Sequence, residues 1–156
     1  MTKVQPGYRG RLSGDLGRIV RAETDALRKE LVQAQRSYTV HHVGRSGEPP
    51  FYATWYNPFP TYNDTSFWRT PDGVVHLRGL IGTTDVGKIG VATYTMFELP
   101  VGYRPDRICV FASIGDTGIA HAVGRIDVQP GGAVCSCELP AGRWLTLDGI
   151  CFLAGR

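Results

Sequence analysis

Pro71-Asp72-Gly73-Val74-Val75-His76-Leu77-Arg78 reads as a turn running into a strand. Pro71 presets φ for the first corner and Gly73 supplies the positive φ that closes it. In the run that follows, Val75 and Leu77 alternate with His76 and Arg78, the period-two pattern of a strand with one face buried and one wet. The same grammar repeats on either side. Runs rich in β-branched and aromatic residues at Phe51–Trp55, Ser66–Thr70, Val74–Ile81, Ala92–Leu99, Ile108–Ile114, Ala120–Val128, Ala133–Leu139 and Trp144–Leu153 are separated by Pro58-Phe59-Pro60, Pro71-Asp72-Gly73, Pro100-Val101-Gly102, Gly115-Asp116, Pro130-Gly131-Gly132 and Pro140-Ala141-Gly142. About eight short strands at this spacing predict a mainly β body, an antiparallel β-sandwich, jelly roll or closed barrel.

The final run differs from the others. On one continuous strand Leu145, Leu147 and Leu153 share a face, and Trp144, Ile150 and Phe152 share the opposite one. A strand apolar on both faces is expected to be central and covered twice, with a neighbouring copy as the second cover.

Residues 1–43 have another character. Of 156 residues, 42% are hydrophobic and 20% charged, which suits one folded unit better than a disordered chain. The formal charge of +3 is uneven: residues 1–43 hold eight Lys/Arg, four Asp/Glu and two aromatics, Tyr8 and Tyr38, while fourteen of the sixteen aromatics and nine of the ten prolines follow. Basic residues interleaved with acids and lacking aromatic platforms describe a solvated helix face, so no nucleic-acid partner is expected. The start carries charge without an apolar run, and no stretch approaches the roughly 18 apolar residues of a membrane span, so neither export signal nor membrane insertion is expected.

A helix is predicted from Ser13, as N-cap, to Ser37, with Asp25 and Lys29 spaced as a supporting ion pair. Its apolar positions Leu16, Val20, Leu27 and Leu31 step by four, seven and four. An eleven-residue recurrence is about 3.67 residues per turn, close to a straight helix. So thin a stripe cannot hold a helix alone, and the segment His41 to Pro50 reads as a linker rather than a tight return, which favours self-association. The division expected is a helical stalk over 1–43 and a β head over 44–156.

Three ordered motifs carry a family resemblance: Gly73-Val74-Val75-His76-Leu77-Arg78-Gly79, then Leu99-Pro100-Val101-Gly102-Tyr103-Arg104-Pro105, then Trp144-Leu145-Thr146-Leu147-Asp148-Gly149-Ile150-Cys151-Phe152. Together they resemble the C-terminal head domain of tailed-bacteriophage tail-tip and receptor-binding proteins. The resemblance implies a homotrimer on a helical stalk, located in the virion at the tail tip or baseplate, assembled in the host cytoplasm among other phage tail proteins. It implies adsorption to a host cell-surface polysaccharide. The alternative is a baseplate or tail-fibre adaptor, or a component of a phage-derived injection particle, with no receptor of its own. The glycines and prolines of the motifs are read as backbone geometry: Gly79 as a close approach, Asp148-Gly149 as a kink.

Function is sought on loops. The stretch from Trp55 to Thr65 concentrates rings with short amides and carboxylates, the combination that covers the C–H face of a sugar and bonds its hydroxyls. Tyr56, Tyr62, Asn63 and Asp64 are the candidate glycan contacts; Trp55 and Phe67 are read as core, Trp68 as the ring that faces out, and Tyr103 and Asp116 as weaker candidates. His41 and His42 are the candidates should a metal sit where three copies meet, but adjacent histidines lack an alternating H-x-H spacing, and no metal or cofactor is expected. Cys109, Cys135, Cys137 and Cys151 show no C-x-x-C spacing and are expected as free thiols in a reducing compartment. Ser113 with His121, or Asp64 with Asp116, are the pairs an enzyme would need; the first has no third partner in the sequence, the second is a pair that any sequence offers with a separation it does not fix, and no activity is expected.

Overall fold

The computed structural model describes residues 8–36, 38–85, 93–137 and 143–155. Two compact units are resolved, Met1–Ser37 and Tyr38–Arg156. The first is helix α1 (Tyr8–Arg36). It begins a turn earlier than predicted and takes Ser13 into its interior, so Ser13 is not the N-cap. An established helix gains a hydrogen bond for each added residue, and Gly10 costs only about 1 kcal/mol against that. Leu16, Val20, Leu27 and Leu31 are all exposed, joined by Ile19 and Val32. No described helix is long and apolar enough to cross a membrane.

The second unit contains β1 (His41–His42), β2 (Trp55–Tyr56), β3 (Ser66–Arg69), β4 (Val74–Arg78), β5 (Leu80–Thr83), β6 (Tyr94–Glu98), β7 (Cys109–Asp116), β8 (His121–Val128), β9 (Ala133–Cys137), β10 (Trp144–Thr146) and β11 (Cys151–Leu153). They form a four-stranded sheet, β1-β3-β4-β11, and a seven-stranded sheet, β2-β5-β10-β7-β8-β9-β6. Every pairing is antiparallel. The core between them holds Phe67, Val75, Leu77, Ile81, Met96, Phe97, Ile126 and Val134, with Trp55 also buried.

The two predicted hairpin turns have one geometry. Thr70 accepts from the Gly73 amide at 2.9 Å and donates its own amide to Val74 at 2.8 Å; Gln129 does the same with Gly132 at 2.8 Å and Ala133 at 2.9 Å. The closing glycines sit at φ of +91° and +98°.

Two predicted strands each break in half. Val74–Ile81 is interrupted at Gly79, whose φ is +101°, and the chain passes from the small sheet into the large one. Trp144–Leu153 is interrupted at Leu147–Ile150 and passes back. The two corners are bonded to each other: the Gly79 amide donates to Asp148 Oδ1 at 2.8 Å, and the Leu147 amide to the Gly79 carbonyl at 2.8 Å. β5 thus pairs with β10 on one side of the bend and β4 with β11 on the other. The bend resets the alternation, so Leu145, Leu147, Ile150 and Phe152 all enter the same core while Leu153 is exposed. The expectation of a strand covered on two faces is therefore corrected: one core takes Leu145 and Leu147 from one set and Ile150 and Phe152 from the other, while Leu153 is exposed and Trp144 half-buried.

Other differences have local causes. Phe51 makes a single bridge with Phe97 and only Trp55–Tyr56 ladders, because Pro49 and Pro50 remove donors and Ala53 turns at φ +49°. Gly115-Asp116 stays in β7, with Gly115 opposite the buried Leu145, and the turn falls at Thr117–Ala120, closed by a 2.8 Å bond. The segment expected as a linker is folded: β1 pairs with β3, Val43 is buried, and the Gly44 amide donates to Pro49 at 2.8 Å. Ala92, the end of the Ala133–Leu139 run and the Pro140-Ala141-Gly142 turn lie outside the described residues.

Candidate binding surface

The loop between β2 and β3 is tied down at its base. Asn57 Oδ1 accepts the Thr65 amide at 2.8 Å, the Thr65 hydroxyl donates to the Leu80 carbonyl at 3.1 Å, and the Leu80 amide donates to the Asn63 carbonyl at 3.1 Å. Inside the loop the Tyr62 amide donates to the Phe59 carbonyl at 3.2 Å. Gly82 leaves room for Pro58, which a Cβ there would approach to 2.9 Å. On this base stand Tyr56, Phe59 and Tyr62, all exposed, with Tyr62 the most open at 60%. Phe59 and Tyr62 lean together, centroids 5.8 Å apart at 57°. Asn63 lies beside them, exposed. Rings whose backbone is already ordered lose little further entropy on binding.

Asp64 is engaged elsewhere. It pairs with Arg45 at 2.9 Å and lies 4.0 Å from His42 Nδ1, a buried nitrogen without a hydrogen-bond partner. On β3, Ser66 and Trp68 lie on the side opposite the core residue Phe67. There the indole of Trp68 stacks on His76 from β4 at 5.0 Å and 7°, and on Tyr38 from the β1 side at 5.7 Å and 24°. With neighbours on both sides, Trp68 presents an edge rather than a face to solvent. Tyr62 and Asn63 thus stand on the loop, Tyr56 on β2 where the chain enters it, Asp64 at the loop's far end and Trp68 on β3.

The weaker candidates are structural parts. His41 donates or accepts at both nitrogens, to Glu48 Oε2 at 2.9 Å and the Tyr103 hydroxyl at 2.9 Å, and stacks on Phe67 at 5.0 Å. Asp116 accepts the Gly118 amide at 2.9 Å in the β7–β8 turn. His41 and His42, consecutive in a strand, point to opposite faces. Among the described residues no three His, Cys, Asp or Glu are placed to hold a metal. Ser113 faces inward and donates to the Thr146 carbonyl at 2.7 Å, whereas His121 is exposed beside Trp144, so the two do not meet. All four cysteines are free. Burial pushes the Cys135 and Cys137 thiols up from their ordinary range; Cys151 is exposed.

Sequence reasoning missed Tyr38, Arg45 and Phe59. Phe59 carried a signal, since prolines on both sides keep it out of a ladder. Tyr38 and Arg45 carried none, because their partners, Trp68 and Asp64, are distant in sequence.

No protein-family model matches the chain, and no curated protein matches it. Among solved structures, the crystal structure of the receptor-binding protein gp15 of Listeria phage PSA superposes with a TM-score of 0.66, over 99% of this chain and 89% of that one, at 15% identity. The fold resembles that of a phage receptor-binding protein. At this identity the likeness is one of backbone, and no residue role is carried across it.

Proposed function

We propose that the chain is a structural protein of a bacteriophage tail tip, a homotrimer on its helical stalk, that binds a host cell-surface polysaccharide during adsorption. The observation that carries the reading is the anchored loop with Tyr56, Phe59 and Tyr62 exposed and Asn63 beside them. Large exposed rings on an ordered loop, flanked by an amide, match the mixed apolar and hydroxyl surface of a sugar. The fold's likeness to a protein described as a phage receptor-binding protein supports the setting. The exposed stripe Leu16, Val20, Leu27 and Leu31 supports the stalk. No catalytic step and no cofactor is assigned.

The test is binding of the full chain to a glycan array and to cell-wall polysaccharide from bacterial hosts, with mass measured by light scattering. Expected are a trimeric mass and saccharide binding lost in Tyr62→Ala. A trimer that binds no saccharide would favour the adaptor reading instead.

A further inference from the structure

Tyr56 and Trp144 belong to one row across the large sheet. Both stand opposite Gly82 of β5, one from each side, and the row runs on from Trp144 to Asp116 of β7 and from Asp116 to His121 of β8. Residues directly opposite in a ladder share a face. Here it is the face away from the core, because the neighbours Trp55, Ile81 and Leu145 are core residues. The loop fills the gap at Gly82: a Cβ there would lie 2.9 Å from Pro58 Cβ, so the Pro58 ring takes the place of a side chain. Beyond it the Trp144 and His121 rings lean together across Asp116, centroids 5.7 Å apart at 51°. Tyr56 and His121 are exposed, and Pro58, Trp144 and Asp116 half-buried. A strip of ring surface thus leaves the β2–β3 loop and crosses from β2 to β8; at about 4.8 Å between strands it is roughly 19 Å long. Its polar groups are available. Asp116 Oδ1 accepts the Gly118 amide, whereas among the described residues nothing bonds its second oxygen, the Trp144 indole N–H or the ring nitrogens of His121.

From this we infer that the saccharide site continues from the loop along this row, and that its ligand is an internal stretch of a linear polysaccharide, laid over Tyr56, Pro58 and Trp144 and hydrogen-bonded at the far end by Trp144, His121 and Asp116. The inference rests on the saccharide reading above and extends it. One sugar ring covers one side-chain ring, and a strip of this length faces several in succession. The polar groups suit hydroxyls, which both donate and accept: an indole N–H only donates, a carboxylate oxygen only accepts, and an imidazole does either. They lie among the rings, as in a site for a polar ligand, whereas a protein contact gathers apolar side chains at its centre and sends polar ones to the rim. The strip is also ordered before it binds. Its rings stand on laddered strands and on a proline seated at Gly82, so each further sugar unit meets a surface that loses little freedom.

The test uses the full chain and two probes: the bacterial cell-wall polysaccharide it retains in the binding experiment above, and fragments of that polymer graded by length after partial hydrolysis. Calorimetry reads affinity and a thermal melt reads folding. The wild-type chain is expected to bind long fragments more tightly than single units. Trp144→Ala is expected to weaken long fragments at least about tenfold and to leave single units, held by the loop, as the wild type binds them. His121→Ala is expected to act in the same sense, by about threefold, through one lost hydrogen bond. His121 is exposed, so that variant decides the matter should Trp144→Ala fail to fold. Affinity that does not rise with fragment length would overturn the inference. So would Trp144→Ala and His121→Ala proteins that bind long fragments as the wild type does while Tyr62→Ala loses them; in both cases the loop reading stands. A wild-type chain that binds neither polymer nor fragments would overturn the saccharide reading, and this inference with it.

Discussion

Gly79 answers two constraints at once. Its φ of +101° is strained for any L side chain, and a Cβ there would run into the Asp64 backbone carbonyl. Gly79→Ala is expected to cost about 2–4 kcal/mol, because neither the backbone angle nor a neighbouring carbonyl can yield cheaply. Asp148→Ala leaves the Gly79 amide without its acceptor and is expected to cost about 1–3 kcal/mol; urea unfolding midpoints measure both. Cysteine chemistry separates by burial. Cys151 is expected to react first with a thiol reagent on the folded protein, Cys135 and Cys137 only after unfolding. Since burial raises the thiol pKa of Cys135 and Cys137 in the folded state, that state holds their protons more tightly than the unfolded one. Their contribution is intact below the ordinary thiol range, near about pH 8.5, and is lost as pH climbs through and above it. A thermal melt series from neutral to alkaline pH should fall, and the Cys135→Ala/Cys137→Ala variant should fall less steeply.

The β2–β3 loop is ordered by its base and carries the proposed saccharide contacts at its tip, and the two can be separated by mutation. Tyr62→Ala removes an exposed ring and is expected to leave the melting temperature within about 1 °C while weakening saccharide binding at least tenfold. Asn57→Ala removes the acceptor of the Thr65 amide, so it is expected to cost about 1 kcal/mol of stability and to weaken binding by loosening the rings it does not touch. Titration calorimetry beside a thermal melt distinguishes the two. The paired corners at Gly79 and Asp148-Gly149 make a different kind of element: two strands that bend together and keep their ladder while crossing from one sheet to the other. Their hydrogen bonds span 69 residues of sequence, which is why local alternation read each as one straight strand.

In the proposed trimer, stalk and head are coupled through valency. Leu27→Asp with Leu31→Asp places charge in the proposed stalk seam and is expected to give a monomeric mass by light scattering. Binding to immobilised polysaccharide should then drop by roughly two to four decades, with single-site affinity unchanged, because three linked sites act at high effective concentration. The mainly β class was legible in the alternation of Val75-His76-Leu77-Arg78, and the hairpins in Pro71-Asp72-Gly73 and Pro130-Gly131-Gly132, since strand period and turn φ are properties of adjacent residues. The burial of Trp55 and Phe67 and the exposure of Tyr62 were legible for the same reason. Local pattern could not reveal that His41–His42 joins a sheet, that Trp68 is enclosed by Tyr38 and His76, or that Asp64 is taken by Arg45. Those facts depend on which distant strands lie side by side, and that choice is made by the packing of one shared core. The apparently two-faced last strand is the clearest case. Its residues alone demand burial on both faces, and only the bend at Leu147–Ile150, held by Gly79 across the sheets, turns Leu145, Leu147, Ile150 and Phe152 toward the same interior and leaves Leu153 in water.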